Sequence, residues 1–456
     1  MRFRLSYASF LPIVLILLLL AACGPTAPSL TPNNGNTAQL TPTAQTSTPA
    51  SSSDDPAIDA CPSILYRAAN CYTPHSLRVA YGIDSLFQQG FSGKGQSVVI
   101  IDAFGSPTLQ QDVDVFDQQF GLPPITIQVK SPLHEPIYDP RGDRPGWVGE
   151  TTLDVEMVHA IAPGAGIVVL TSPVAETEGT IGLPEFLQLE QYAVSNHLGN
   201  IISQSWGASE VTLKDSAGQQ EIKQWDTFYH QATTQEGITF FTGSGDNGAT
   251  DYADLAGKTL SPTPTTSFPA DDPWVTSVGG TSLRHNGTTI MESVWNLGTE
   301  ASGGGFSSFF ATPPYQQMLP FAVRTQLANR RGVPDVAGDG DPATAMAIYV
   351  NGVWDQIGGT SAAAPFWAAL TAIANQMAGH PLGFINPALY KLAMSSKYTQ
   401  DFRDITVGNN SINDGHVNVT GYDAEKGWDP VTGWGSPIAD KLLPDLIATV
   451  QSGGTR

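Results

Sequence analysis

Short apolar runs alternate along this chain with longer amphipathic stretches, and that alternation leaves few architectures open. Residues 96–102, 166–170, 200–203, 239–242 and 274–278 are rich in β-branched or aromatic side chains and are bounded by Gly, Pro, Ser or Asp, the pattern of short strands. Between them, residues 151–161, 184–197 and 219–235 read as helices. Strands that alternate with helices predict an α/β fold, a doubly wound, mostly parallel sheet with helices on both faces. Functional sites in such sheets lie beyond the carboxyl ends of strands. Asp102, Ser205 and residues 243–246 occupy such positions. There is no internal repeat, and residues 256–306, rich in Gly, Ser and Thr, are expected to form surface loops of the same domain.

The amino end speaks to compartment. Arg2 and Arg4 precede an apolar run over residues 10–22, interrupted by Pro12. That run is shorter than the ~20 residues of a membrane-spanning helix and fits a signal-peptide core. It closes on Leu20-Ala21-Ala22-Cys23, which resembles a bacterial lipobox, in which the Cys becomes a lipidated amino terminus; an ordinary signal peptide with an incidental Cys is the alternative. Residues 24–53 hold no charged or aromatic side chain and cannot bury enough apolar area to order themselves. The expected organisation is a lipoprotein signal over residues 1–22, a Thr/Pro/Ser-rich tether over 23–57 and one catalytic-size domain over 58–452. Cys61 and Cys71 remain. In an oxidising compartment they are expected to pair, a short loop contributing roughly 2–3 kcal/mol.

Charge narrows the partners. With 21 Lys+Arg against 42 Asp+Glu, the 456-residue chain carries a formal charge of −21. No basic run exists to displace counterions from a nucleic acid or to seat the protein on an acidic membrane surface. The expected partners are protein or peptide substrates and, through lipid on Cys23, a membrane; the chain is expected to be an extracytoplasmic monomer.

Four passages carry chemistry. In GETTLDVEMVHAIAPG, a helix stopped by Pro163 sets Glu150 and Asp154 four residues apart, on one face near its amino end. Two carboxylates that close must be solvated, share a proton or differ in pKa; alone, they could equally decorate a first turn. In GGTSAAAP, Ser361 stands at a helix amino terminus whose free N–H groups can stabilise an oxyanion. A Ser there can also be a plain cap. GSGDNGA follows a strand and presents Asp246 on what could be a Gly-rich turn. Ser205-Trp206-Gly207 ends another strand, where the indole could simply pack.

Taken together, in this order, these passages resemble the sedolisin family of serine-carboxyl peptidases, whose fold is subtilisin-like. The resemblance begins near Tyr72-Thr73-Pro74 and runs through FPADDPWVTSVGGTSL, SVWN, SGGGFS, RRGVPDVAGDGDP and GWDPVTGWGSP. It implies serine-type endopeptidase action at acidic pH, or tripeptidyl-peptidase action. Ser361 would be the nucleophile, Glu150 its general base, Asp154 the partner that orients Glu150 and shares its proton, and Asp246 the protonated oxyanion-hole carboxyl. Asp102 matches an acidic position supporting this network, and Trp206 a substrate-cleft position. The resemblance further implies one structural calcium ion, held by the side chains of Asp404 and Asp429 and the carbonyls of Ile405 and Gly427; Glu425 stands where the family has a small residue offering another carbonyl. Typical members carry a large folded propeptide, whereas here signal, tether and the Cys61–Cys71 segment stand in that place.

A Ser-His-Asp hydrolase would need a His opening a Gly-containing helix. None of the eight His residues has that setting, and His159, five residues past Asp154, is expected to face away as a packing residue. The competing expectation is a peptidase-like surface lipoprotein that holds peptides without cutting them.

Overall fold

The computed structural model describes Cys61, Pro62 and residues 71–286 and 289–453; the signal, the tether and Cys23 lie outside them. Cys61 and Cys71 form a disulfide. Helices α1 (Pro74–Ala80) and α2 (Asp84–Gln88) lead into β1 (Ser97–Ala103), α3 (Leu109–Phe120) and β2 (Gln128–Lys130). There follow α4 (Arg144–Ile161), β3 (Gly166–Ser172), α5 (Leu183–Ser195), β4 (Ile201–Gln204), the short β5 (Ala208–Ser209), α6 (Ser216–Gln235) and β6 (Thr239–Gly243). Strands β7 (Ser267–Phe268), β8 (Thr276–Asn286), β9 (Thr289–Val294), β10 (Gly305–Ala311), β11 (Arg330–Val333) and β12 (Val336–Asp339) precede the long α8 (Thr360–Ala378), with α7 (Phe321–Leu327) between β10 and β11.

The central sheet has the order β12-β8-β6-β4-β1-β3-β2, parallel throughout, with β9 added antiparallel to β8. Side chains alternate across it as the strand period demands. Val98 and Ile100 of β1 join the core beneath α4 and α8, whereas Val99 and Ile101 join the core beneath α5 and α6. Ile201 and Ile202 of β4, and Phe241 and Phe240 of β6, divide in the same way. Because both faces are covered, these strands read as continuous apolar runs. The parity also decides where Asp102 goes: it lies on the face of Val98 and Ile100, toward α4 and α8.

Two expectations need correction. The stretch 256–306 is not all surface loop, because β8 is a long strand buried in the sheet and β9 pairs with it. Its Gly and Ser residues are there for close approach, not for flexibility. A Cβ on Gly280 would lie 2.8 Å from the Trp295 ring. The carboxylate-bearing helix starts at Arg144 rather than near residue 151, since Pro145 fits a first helical turn. Glu150 and Asp154 therefore sit in its body, beyond the turn in which the helix dipole acts.

Candidate active site

Helix α4 is buried continuously from Gly149 to Ile161, so its carboxylates face protein, not solvent. Glu150 is 3% and Asp154 0% exposed. Helix α8 delivers Ser361 at its second residue, after Gly359 at φ +108°. Pro365 lies inside the same helix and has no N–H to offer the carbonyl four residues back, that of Ser361. The Ser205 hydroxyl, at the end of β4, fills part of that gap. It donates to Asp154 Oδ1 at 2.9 Å and approaches the Ser361 carbonyl at 3.4 Å. One hydroxyl thereby links β4, α4 and α8 beyond the carboxyl end of the sheet.

Asp246 follows β6. Its Oδ1 accepts from both the Thr360 N–H and the Thr360 hydroxyl at 2.8 Å, and the Thr360 hydroxyl accepts from Gly245 N at 3.1 Å. Asp246 Oδ2 lies so close to Gly359 that a Cβ there would approach to 2.7 Å. Only glycine leaves room for that carboxyl beside the residues that introduce Ser361.

The structure thus brings Glu150, Asp154, Asp246 and Ser361 together, with Asp102 alongside. Burial first, then the charge of Asp102, raises Glu150 well above the ordinary carboxylate range, while the neighbouring Ser361 and Ser205 hydroxyls pull the other way. Asp154 is raised for the same reasons, burial before the charges of Asp102 and Glu150. Burial pushes Asp102 up to about 7. These acids titrate as a set that shares protons. Burial also pushes Asp246 up to about 7, against the two hydrogen bonds from Thr360. Glu150 neighbours Ser361, but no bond of normal geometry joins them: Ser361 Oγ and Glu150 Oε1 are both buried without a partner. Such bonds tighten when substrate arrives.

Other expected residues have clear places. Trp206 is buried, its ring packed against Phe186 and Trp225 at 4.8 and 5.5 Å, so the indole is a core group and not an exposed cleft wall. His159 is buried as well and pairs with Asp117 at 2.9 Å. Near the carboxyl end, Tyr398 and Gly427 N–H donate to Asp404 Oδ1 at 2.8 and 3.0 Å. Asp429 accepts from the N–H groups of Glu425, Val431 and Thr432 at 3.1, 2.9 and 2.9 Å. Both carboxylates lie near the Tyr398 hydroxyl. Among the described residues no Lys or Arg forms an ion pair with either. No group of three His, Cys, Asp or Glu forms a metal cluster among the described residues. Two carboxylates without a cationic partner, together with backbone carbonyls, are the kind of hard oxygen donors that calcium takes.

Sequence reasoning missed the roles of two contributors. Ser205 was legible as a residue beyond a strand end, where sites form, but nothing in its neighbourhood pointed to Asp154. Thr360 adjoins Ser361, yet its double bond to Asp246 joins two motifs 114 residues apart.

The Subtilase family profile matches residues 146–435. Kumamolisin from Bacillus sp. (strain MN-32) is 35% identical over 390 residues, covering 83% of this chain and 64% of the relative. Sedolisin from Pseudomonas sp. (strain 101) is 32% identical, covering 76% and 57% respectively. The structure of Pseudomonas sedolisin, described as a serine-carboxyl proteinase in complex with pseudo-iodotyrostatin, superposes with a TM-score of 0.70 at 28% identity, covering 85% of this chain and 99% of that one. The chain belongs to the sedolisin branch of the Subtilase family, and its doubly wound sheet is the subtilisin-like α/β fold. It spans less than two thirds of the length of these curated relatives.

Proposed function

We propose that this chain is a serine-carboxyl peptidase that hydrolyses peptide bonds in acid. The observation that carries the reading is the convergence of three acids, the buried Glu150 and Asp154 and the half-buried Asp246, on one buried serine hydroxyl, Ser361. Ser361 Oγ attacks the scissile carbonyl and passes its proton to Glu150. A free carboxylate is a weak base toward a hydroxyl; burial and then the charge of Asp102 make Glu150 more basic. The shared proton on Asp154 then steadies Glu150 through each transfer. Glu150 returns its proton to the departing amine, and a water molecule attacks the acyl-enzyme by the same route in reverse.

Asp246 acts as an acid. Its Oδ1 is occupied by Thr360, which leaves Oδ2 to carry the proton and donate to the developing oxyanion. An ionised Asp246 would repel that charge. The reaction therefore needs Asp246 protonated while Glu150 can still accept a proton, which sets it in the acidic range.

Asp404, Asp429 and the carbonyls of Ile405 and Gly427 would hold the calcium ion, whose charge would offset the half-buried Asp404 and the buried Asp429 carboxylates. The same reading has the chain exported by residues 1–22 and held on a membrane by lipid on Cys23. No helix among the described residues is long and apolar enough to cross a membrane.

The deciding assay is cleavage of denatured protein at about pH 3–5, where carboxyl groups titrate, with Ser361→Ala as control. Activity in the wild type that is absent from Ser361→Ala supports the reading. Equal activity in both overturns it.

A further inference from the structure

Outside the candidate site, two more buried acids meet where three segments bordering it converge. Glu210 begins the turn after β5, five residues beyond Ser205, and is 1% exposed. Asp271 follows β7, the antiparallel partner of β5, and is 0% exposed. The third segment is β10. Just before it, Gly303 N donates to Gly245 O at 2.6 Å, and the Gly303 carbonyl accepts from the Ser244 hydroxyl at 2.7 Å, so this segment braces the loop that carries Asp246.

The hydrogen bonds at this junction are lopsided. Glu210 accepts from the Ser307 and Ser308 hydroxyls, from Ser308 N at 2.8 and 3.0 Å, and from Phe309 N at 3.2 Å. Its own N–H donates to Thr266 O at 3.1 Å. Such convergence of donors is what an acceptor-only carboxylate takes. Asp271 Oδ2 accepts from the Thr266 hydroxyl at 2.9 Å, whereas its Oδ1 is buried with no donor. The Asp271 carboxyl faces Glu210 and Ser307. Two ionised carboxylates in contact and out of water repel each other strongly. A protonated Asp271 resolves both problems, because its O–H can donate from Oδ1 to Glu210.

We propose that Glu210 and a protonated Asp271 are a positioning pair that clamps the wall of the substrate cleft in acid and releases it when the Asp271 proton leaves. Burial, then the charge of Glu210, raises Asp271 well above the usual range. Glu210 is the charged group that faces it; Thr266 and Ser307 present hydroxyls from the other two segments. The adjacent Asp272 turns instead toward Asp226 and Arg331, with Glu190 facing it from α5. Among the described residues no Lys or Arg ion pair reaches Glu210 or Asp271. The sign follows from the raised folded-state pKa. The stabilisation is complete below the unfolded aspartate value of ~3.9 and is lost as pH rises toward the folded value.

Asp271→Asn tests this. The amide keeps an acceptor for Thr266 and places a permanent N–H donor against Glu210. Melting temperatures are measured in a Ser361→Ala background from about pH 4 to pH 8, so the result does not depend on peptidase activity. Asp271→Asn should hold its melting temperature at the upper end, ending about 3 °C or more above its parent, while the two agree in acid. Asp271→Ala, which supplies no donor, should not show this rescue. Parallel melting curves for Asp271→Asn and its parent overturn the proposal. The cleft part rests on the peptidase reading and is read separately, with Ser361 intact: above about pH 6, KM should rise severalfold less in Asp271→Asn than in wild type. Equal KM rises overturn the clamp. A chain inactive at every pH, with the melting curves as expected, would instead refute the peptidase reading and leave the pair standing.

Discussion

The Ser205 hydroxyl donates to Asp154 Oδ1 at 2.9 Å, tying the end of β4 to the acid that stands one helical turn beyond Glu150. The same oxygen reaches 3.4 Å from the Ser361 carbonyl, which Pro365 has deprived of its helical donor. Asp154 depends on Ser205 for this bond, since its other carboxyl oxygen is buried without a partner.

Ser205→Ala should lower kcat by about tenfold or more, the cost of removing a donor from a buried carboxyl being ~1–3 kcal/mol. KM should change little. A pH–rate profile separates positioning from general damage: without its donor, Asp154 holds its proton more firmly and the acid limb should move upward. An unshifted limb with unchanged kcat would remove Ser205 from the network.

At Asp246, a neutral donor and an acid can be told apart. Asp246→Ala should cost about 10²–10³ in kcat, the usual loss for one oxyanion donor. Asp246→Asn keeps both the acceptor for Thr360 and a donor at the Oδ2 position, so it should retain much more activity. In the wild type, activity should fall as pH rises through about 7, where Asp246 loses its proton. In Asp246→Asn that limb should flatten. Steady-state kinetics on a peptide substrate across this range provide the check.

Stability should also fall with rising pH. Burial raises Glu156, Glu190, Asp272 and Asp339 well above the ordinary range. Each is protonated more readily folded than unfolded, so its contribution is complete below about pH 4 and is lost as pH climbs toward the folded value. Melting temperature measured from acid to neutral pH should therefore decline. A maximum at neutral pH would contradict the assignment.

Chelation addresses the carboxyl-terminal loop. Saturating chelator should lower the melting temperature by several degrees, and added calcium should restore it. Asp404→Ala should begin at the lower value and respond to neither. No response in the wild type would leave Asp404 and Asp429 as loop residues held by the N–H and hydroxyl groups now seen around them.

Much of this was legible in the chain because its strands are buried on both faces and announce themselves as apolar runs. β1, β3, β4 and β6 fall where residue pattern places them, within a residue or two. The failures have physical causes. β8 contains Gly279, Gly280, Thr281 and Ser282, small residues chosen to let Trp295 and Thr360 approach, and they mimic a loop. The first turns of α4 contain Gly146 and Gly149, which hide the helix from any apolar period. Motif residues were visible because their types are unusual in their settings. The roles of Ser205 and Thr360 were not, because a hydroxyl becomes informative only when its acceptor, distant in sequence, is in place.

Strand parity at β1 has one more bearing on the chemistry. Asp102 shares a face with Val98 and Ile100, and that face looks at α4. Inserting a single residue between Ser97 and Ile101 would turn the carboxyl toward α5 and present an aliphatic side chain to Glu150. The acid beside Glu150 is thus inherited from the phase of a pleat, and single-residue length changes in this strand should be far more damaging than conservative apolar exchanges within it.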